Sequence, residues 1–122
     1  MKKSPQKNPK RGEVWLVNFD TTVGSEIKKT RPALILQNDV GNRFSAVTIV
    51  AALSSYPGGE LYPTEVMVSP PEGGLEKQSV VMLNQILTVD QKRLVARIGT
   101  VKTQTVRAAE NALLISLGFV GV

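Results

Sequence analysis

The chain has 122 residues, 42% of them hydrophobic, enough for one globular domain with a core of ordinary size and too little for two stable ones. It contains neither cysteine nor histidine, which excludes disulfides, thiolate metal sites, nucleophilic thiols and imidazole proton transfer. The formal charge is +5; Lys2, Lys3, Lys7, Lys10 and Arg11 account for it, and the ten remaining basic residues balance ten acids.

Residues 1–11 hold two prolines and almost no apolar side chain, and read as a flexible basic tail ahead of a single domain at 12–122. Such a tail draws polyanions weakly at low salt, although a plain solubilising role is the commoner one. The polar start lacks the apolar segment of a signal peptide, and no apolar run approaches the roughly 18 residues that cross a bilayer. The expectation is a cytoplasmic protein without membrane attachment.

Residues 13–19 have strand periodicity, with Trp15, Val17 and Phe19 on one face and Val14 and Leu16 on the other. After a break at 20–24 comes a polar, charged loop carrying Lys28 and Lys29, then Arg31-Pro32 and the apolar runs 33–36 and 47–53. Both runs read as buried strands, which puts Arg31 and Ser54 where core meets solvent; 38–42 reads as a capped turn. The segment 54–63, with Gly58, Gly59 and two prolines, is a loop. A short strand at 64–68, a turn at 69–74, a strand at 79–83 and a polar turn at 90–93 follow. Leu94, Ala96 and Ile98 then alternate with Val95 and Arg97. Five or six short strands without long intervening helices predict a mainly β fold, a small antiparallel barrel.

The chain end differs. Thr103 is a candidate N-cap, and Val106, Ala109, Leu113 and Leu117 recur at helical spacing, with Ala112 widening the stripe and Gly118 as the stop. This helix is expected to cover an open end or face of the barrel. The apolar residues 119–122 either dock on a neighbour or pack on the chain's own barrel. The ten carboxylates are scattered without ligand spacing, so neither metal nor other cofactor is expected.

Several segments, in order, carry a resemblance: 11–15 (RGEVW), 24–26 (GSE), 31–45 (RPALILQNDVGNRFS), 49–54 (IVAALS), 63–66 (PTEV), 90–94 (DQKRL) and 112–117 (ALLISL). Together they resemble the MazF/PemK toxin endoribonuclease family, over everything but the basic tail. The resemblance implies an SH3-like barrel with a C-terminal helix, the fold of CcdB, Kid and MazF toxins. It also implies a homodimer that cleaves single-stranded mRNA sequence-selectively and without a metal. In that chemistry the RNA's 2′-hydroxyl is the nucleophile, leaving a 2′,3′-cyclic phosphate and a 5′-hydroxyl. A cognate antitoxin would neutralise the protein, with operator DNA bound only through the antitoxin complex.

Matched by position, the family's catalytic arginine falls on Arg31 and its catalytic threonine on Ser54. A guanidinium suits charge stabilisation and proton donation to the leaving oxygen; as a group of donors without an acceptor it makes a poor general base. Serine keeps the hydroxyl and loses the methyl group that restricts the threonine rotamer. Ser25, Glu26, Lys28, Lys29 and Gln85 match RNA-contacting positions, whereas Asn84 and Leu87 stand where the family often has glutamate and arginine. Two alternatives stay open: a CcdB-like inhibitor of DNA gyrase, or a catalytically silent module that binds RNA or antitoxin.

Overall fold

Six apolar segments pair antiparallel into one sheet in a computed structural model of the protein, which describes residues 7–19 and 30–122. The strands are β1 (Glu13–Asn18), β2 (Thr30–Ile35), β3 (Val47–Ser55), β4 (Glu65–Val68), β5 (Ser79–Asp90) and β6 (Leu94–Thr100). Their order across the sheet is β4-β5-β3-β2-β1-β6. The mainly β fold with a terminal helix agrees with the sequence reading. The hydrogen-bonded ring is not closed, because β4 and β6 remain edges among the described residues.

A 3₁₀ turn, Glu72–Gly74, comes from the connection after β4 and packs against β6. The contact is backbone on backbone, and only glycine permits it. A Cβ on Gly74 would lie 1.8 Å from the Ile98 carbonyl oxygen, and one on Gly99 2.3 Å from the Gly73 carbonyl carbon.

The strand alternation sends side chains to two buried clusters. Val14, Leu34, Ala51, Leu53 and Leu83 pack in one with Ala109 and Ala112 of the C-terminal helix, and Trp15, Val17, Ala33, Ile35 and Val50 form the other with Leu94. Each fully buried side chain of this size contributes about 1.5–3 kcal/mol relative to exposure. That burial on both faces is why β2 and β3 read as apolar runs.

Helix α1 (Asp39–Phe44) replaces the turn expected at 38–42. Asn38 caps it, its side chain accepting the Gly41 N–H at 2.7 Å. Asn42 is buried and saturated: its Oδ1 accepts from Thr48 Oγ1 at 2.6 Å and its Nδ2 donates to the Gln37 carbonyl at 2.9 Å. Gln91 donates to the carbonyls of Asn42 and Ser45. This polar network joins α1, the start of β3 and the turn after β5, so a helix of six residues is held by tertiary bonds.

Three boundaries differ from the sequence reading. Strand β5 extends to Asp90 instead of ending at 83, because its second half pairs with β3 although Asn84, Gln85 and Thr88 face solvent. Helix α2 (Thr103–Ser116) is capped at Lys102 and not at Thr103. Its cap is supplied from the distant Glu72, whose carboxylate accepts the Lys102 N–H at 2.9 Å and the Thr105 hydroxyl. Part of the predicted tail is bound to the body: Lys7 Nζ donates to the Leu94 carbonyl at 2.6 Å, and Arg11 pairs with Glu110 at 2.8 Å. At the other terminus Gly118, at φ +83°, ends the helix as expected, and Phe119 and Val122 are exposed, not packed on the barrel.

Gly99→Ala is expected to destabilise the fold by about 2 kcal/mol or more through overpacking against a backbone that cannot yield cheaply. Urea denaturation followed by tryptophan fluorescence measures it, and an unchanged midpoint would contradict the contact.

Candidate active site

Ser54 lies near the end of β3, paired on one side with Val80 of β5. On the other side the β2–β3 ladder ends at Ala33 and Ala52. Extending that register by two residues brings Arg31 opposite Ser54. Between Arg31 and Ala33 stands Pro32, which has no N–H to donate and so fits the end of the ladder. The strands part there, and the gap is the mouth of a cleft.

The cleft has a volume of about 440 Å³. Its polar lining is Arg31, Ser54, Ser55, Glu76, Lys77 and Ser79, and its apolar part is Pro32 with the buried Leu53 and Leu75. The segment 75–79 is held on that side of the cleft by its backbone: Tyr56 N–H donates to the Gln78 carbonyl at 2.9 Å, and Ser79 Oγ donates to the Lys77 carbonyl at 2.9 Å.

The polar groups are poorly engaged. Ser54 Oγ reaches only the Ser55 carbonyl at 3.5 Å and the Met82 sulfur at 3.7 Å, both too long to hold a hydroxyl firmly. Among the described residues the Arg31 guanidinium has no ion-pair or hydrogen-bond partner, and Glu76 and Lys77 are likewise unpaired. All three are exposed. Charged groups lining one cleft without neutralising each other leave their bonding capacity for a ligand. With two cations, one carboxylate and three hydroxyls, the cleft suits a phosphodiester flanked by its sugars.

Arg31 and Ser54 are thus brought to one place, as the sequence reading expects. Gln85 is exposed on β5 and does not line this cleft. Ser25, Glu26, Lys28 and Lys29 lie outside the described residues. Sequence reasoning weighs Ser55 and Thr48 as alternatives to Ser54 for the hydroxyl; Ser55 lines the cleft and Thr48 is buried away from it, whereas Glu76, Lys77 and Ser79 are missed. Glu76-Lys77 has no motif character, and the sole signal that could have found it is the pairing of Ser55 with Ser79, which is tertiary. Among the described residues no three acidic side chains cluster as metal ligands would, and no helix is long and apolar enough to cross a membrane.

Fold and cleft together define a small, mainly β protein of SH3-like barrel type with one C-terminal helix and a cleft of mixed charge at its strand ends. Residues 10–117 match the model of the PemK-like, MazF-like toxins of type II toxin–antitoxin systems, and the chain belongs to that family. It is 39% identical over 111 residues to the endoribonuclease EndoA of Bacillus subtilis (strain 168), covering 91% of this chain and 96% of that protein. A solved endoribonuclease from a mycobacterial species superposes with a TM-score of 0.75 at 25% identity, covering 93% of this chain and 94% of the other. A mycobacterial endoribonuclease in complex with its cognate antitoxin gives 0.74 at 26% identity, covering 93% and 99%.

Because Ser54 is only half-buried and weakly bonded, Ser54→Ala is expected to change stability by less than about 0.5 kcal/mol. A urea midpoint equal to that of the unaltered protein checks this, and it makes any activity loss in that variant chemical in origin.

Proposed function

We propose that the chain is the toxin of a toxin–antitoxin pair and cleaves single-stranded RNA by internal attack, without a metal ion. The observation that carries this is the convergence of an unpaired Arg31 guanidinium and a loosely held Ser54 hydroxyl on one cleft. Family membership and the relatives named as endoribonucleases support the same reading.

The RNA supplies its own nucleophile, the 2′-hydroxyl beside the scissile phosphate. The protein has to orient that phosphate, offset the charge that grows as phosphorus becomes pentacoordinate, and move protons. Arg31 grips phosphate oxygens through its fork of N–H donors and lends a proton to the departing 5′-oxygen, later replaced from water. Ser54 donates its hydroxyl to a phosphate oxygen and fixes its position. Bond formation from O2′ to phosphorus and loss of the 5′-oxygen leave a 2′,3′-cyclic phosphate and a 5′-hydroxyl. Ser25, Glu26, Lys28, Lys29 and Gln85 act along the flanking nucleotides, the lysines on phosphates and the others on bases or sugars. The active form is a homodimer restrained by a cognate antitoxin; the mycobacterial complex supports the antitoxin.

Incubation with a long unstructured RNA in EDTA, followed by end mapping, tests this. A small set of sites with 5′-hydroxyl ends is expected. Arg31→Ala should lower the rate by about a thousandfold and Ser54→Ala by about a hundredfold, on the scale of lost oxyanion donors, with Ser54→Thr active. Intact RNA would leave gyrase inhibition or silent binding as the remaining readings, and a metal requirement would overturn the mechanism.

A further inference from the structure

The reaction needs a group to take the 2′-hydroxyl proton, and histidine is absent from the chain. Arg31 does not serve, since a guanidinium offers donors only and has no site to accept a proton. Among the described residues one carboxylate lines the cleft, that of Glu76. In a cleft suited to phosphate such a carboxylate repels the ligand, so its placement there calls for a compensating role.

The sheet order gives that role a geometry. β3 lies between β2 and β5. Ser54 therefore stands in the middle, with Arg31 on the β2 side and the segment leading into β5, which carries Glu76 and Lys77, on the opposite side. Strands are spaced about 4.8 Å apart, so the β2 and β5 backbones on either side of Ser54, at Arg31 and Val80, are roughly 10 Å from each other, which leaves room between the flanks for a phosphate and both its ester oxygens. In-line displacement at phosphorus requires the entering and leaving oxygens on opposite sides. A proton acceptor on one flank and a proton donor on the other meet that requirement.

We infer that Glu76 is a catalytic residue of this cleft, the general base for the 2′-hydroxyl. The inference rests on the RNA-cleaving function proposed above. The Glu76 carboxylate takes the proton from O2′; the O2′–phosphorus bond forms as the phosphorus–O5′ bond breaks; O5′ takes its proton from Arg31. Solvent then removes the proton from Glu76 and restores the one on Arg31. The charged groups that share the cleft with Glu76 are Arg31 from β2 and Lys77 from its own segment, beside the hydroxyls of Ser54 and Ser55 from β3 and Ser79 from β5. Neither cation pairs with Glu76 in the free protein, so the carboxylate is available to accept.

The test is the pH dependence of kcat/KM on an RNA bearing one mapped cleavage site, for the unaltered protein, Glu76→Gln, Glu76→Asp and Glu26→Gln. Glu76→Gln should lower the rate by roughly a hundredfold to ten-thousandfold and abolish the acidic limb of the profile, with Glu76→Asp retaining that limb and part of the rate. The cleavage site should be unchanged, and the urea midpoint should be that of the unaltered protein because Glu76 is exposed. If Glu76→Gln keeps the acidic limb, or if Glu26→Gln is the variant that loses it, the assignment is wrong. Altered cleavage sites at near-normal rate would make Glu76 a base-reading residue and also overturn it. Cleavage by the unaltered protein separates these outcomes from failure of the parent reading, since intact RNA with that protein overturns both.

Discussion

Strand β3 is the constraint on which the rest of the structure depends. It pairs with β2 and with both ends of β5, and its residues alternate into both buried clusters, so its register is fixed by edges and faces together. A shift of one residue would exchange Val50 with Ala51 between clusters and turn Ser54 away from the cleft. Both flanks of the cleft are defined relative to this strand. Arg31 is placed by the β2 register and Ser79 by the β5 register, and the bond from Tyr56 N–H to the Gln78 carbonyl holds the residues just before β5.

Three devices hold the periphery to that frame. The glycine contact between the 72–74 turn and β6 bridges the edges that hydrogen bonding leaves open. From the same turn Glu72 caps α2, so helix docking and bridging depend on one short segment. At the opposite end, Asn42 and Gln91 join α1 to the strands through buried hydrogen bonds. Breaking one of these bonds would leave a further buried group unsatisfied, at about 1–3 kcal/mol; among the described residues Gln91 Oε1 is already without a partner. Glu13 plays a comparable part near the chain start: its buried carboxylate accepts from the Lys10 N–H and the Trp15 indole and pairs with Arg97. Because the supports are spread around the barrel, the polar groups of the cleft can remain unpaired without loosening the fold.

The location of net charge also bears on function. The body is formally neutral, and the excess lies in residues 1–11. A neutral body attracts a polyanion only weakly at a distance, so the RNA recognition proposed above rests on short-range bonds within the cleft and along its approaches. Lys7 and Arg11 are already engaged with the body through Leu94 and Glu110, which lessens what that basic segment can offer to a ligand. Under the function proposed above, selectivity rests on geometry more than on long-range electrostatic attraction.

The sequence by itself determined the strands whose burial is two-sided or alternating, the terminal helix with its glycine stop, and the family, because apolar periodicity and an ordered set of motifs are properties of the chain read in line. It also singled out Arg31 and Ser54, through motif position and their place at the ends of apolar runs. The second half of β5 was not legible, since exposed Asn84, Gln85 and Thr88 mask a strand defined by pairing. Nor was the cap of α2, because Glu72 is thirty residues from Lys102. Tertiary structure alone decided that Glu76 and Lys77 share a cleft with Arg31 and Ser54. The reason is physical: antiparallel pairing brings together residues that are distant along the chain, and it does so by register, which no local pattern around Glu76 encodes.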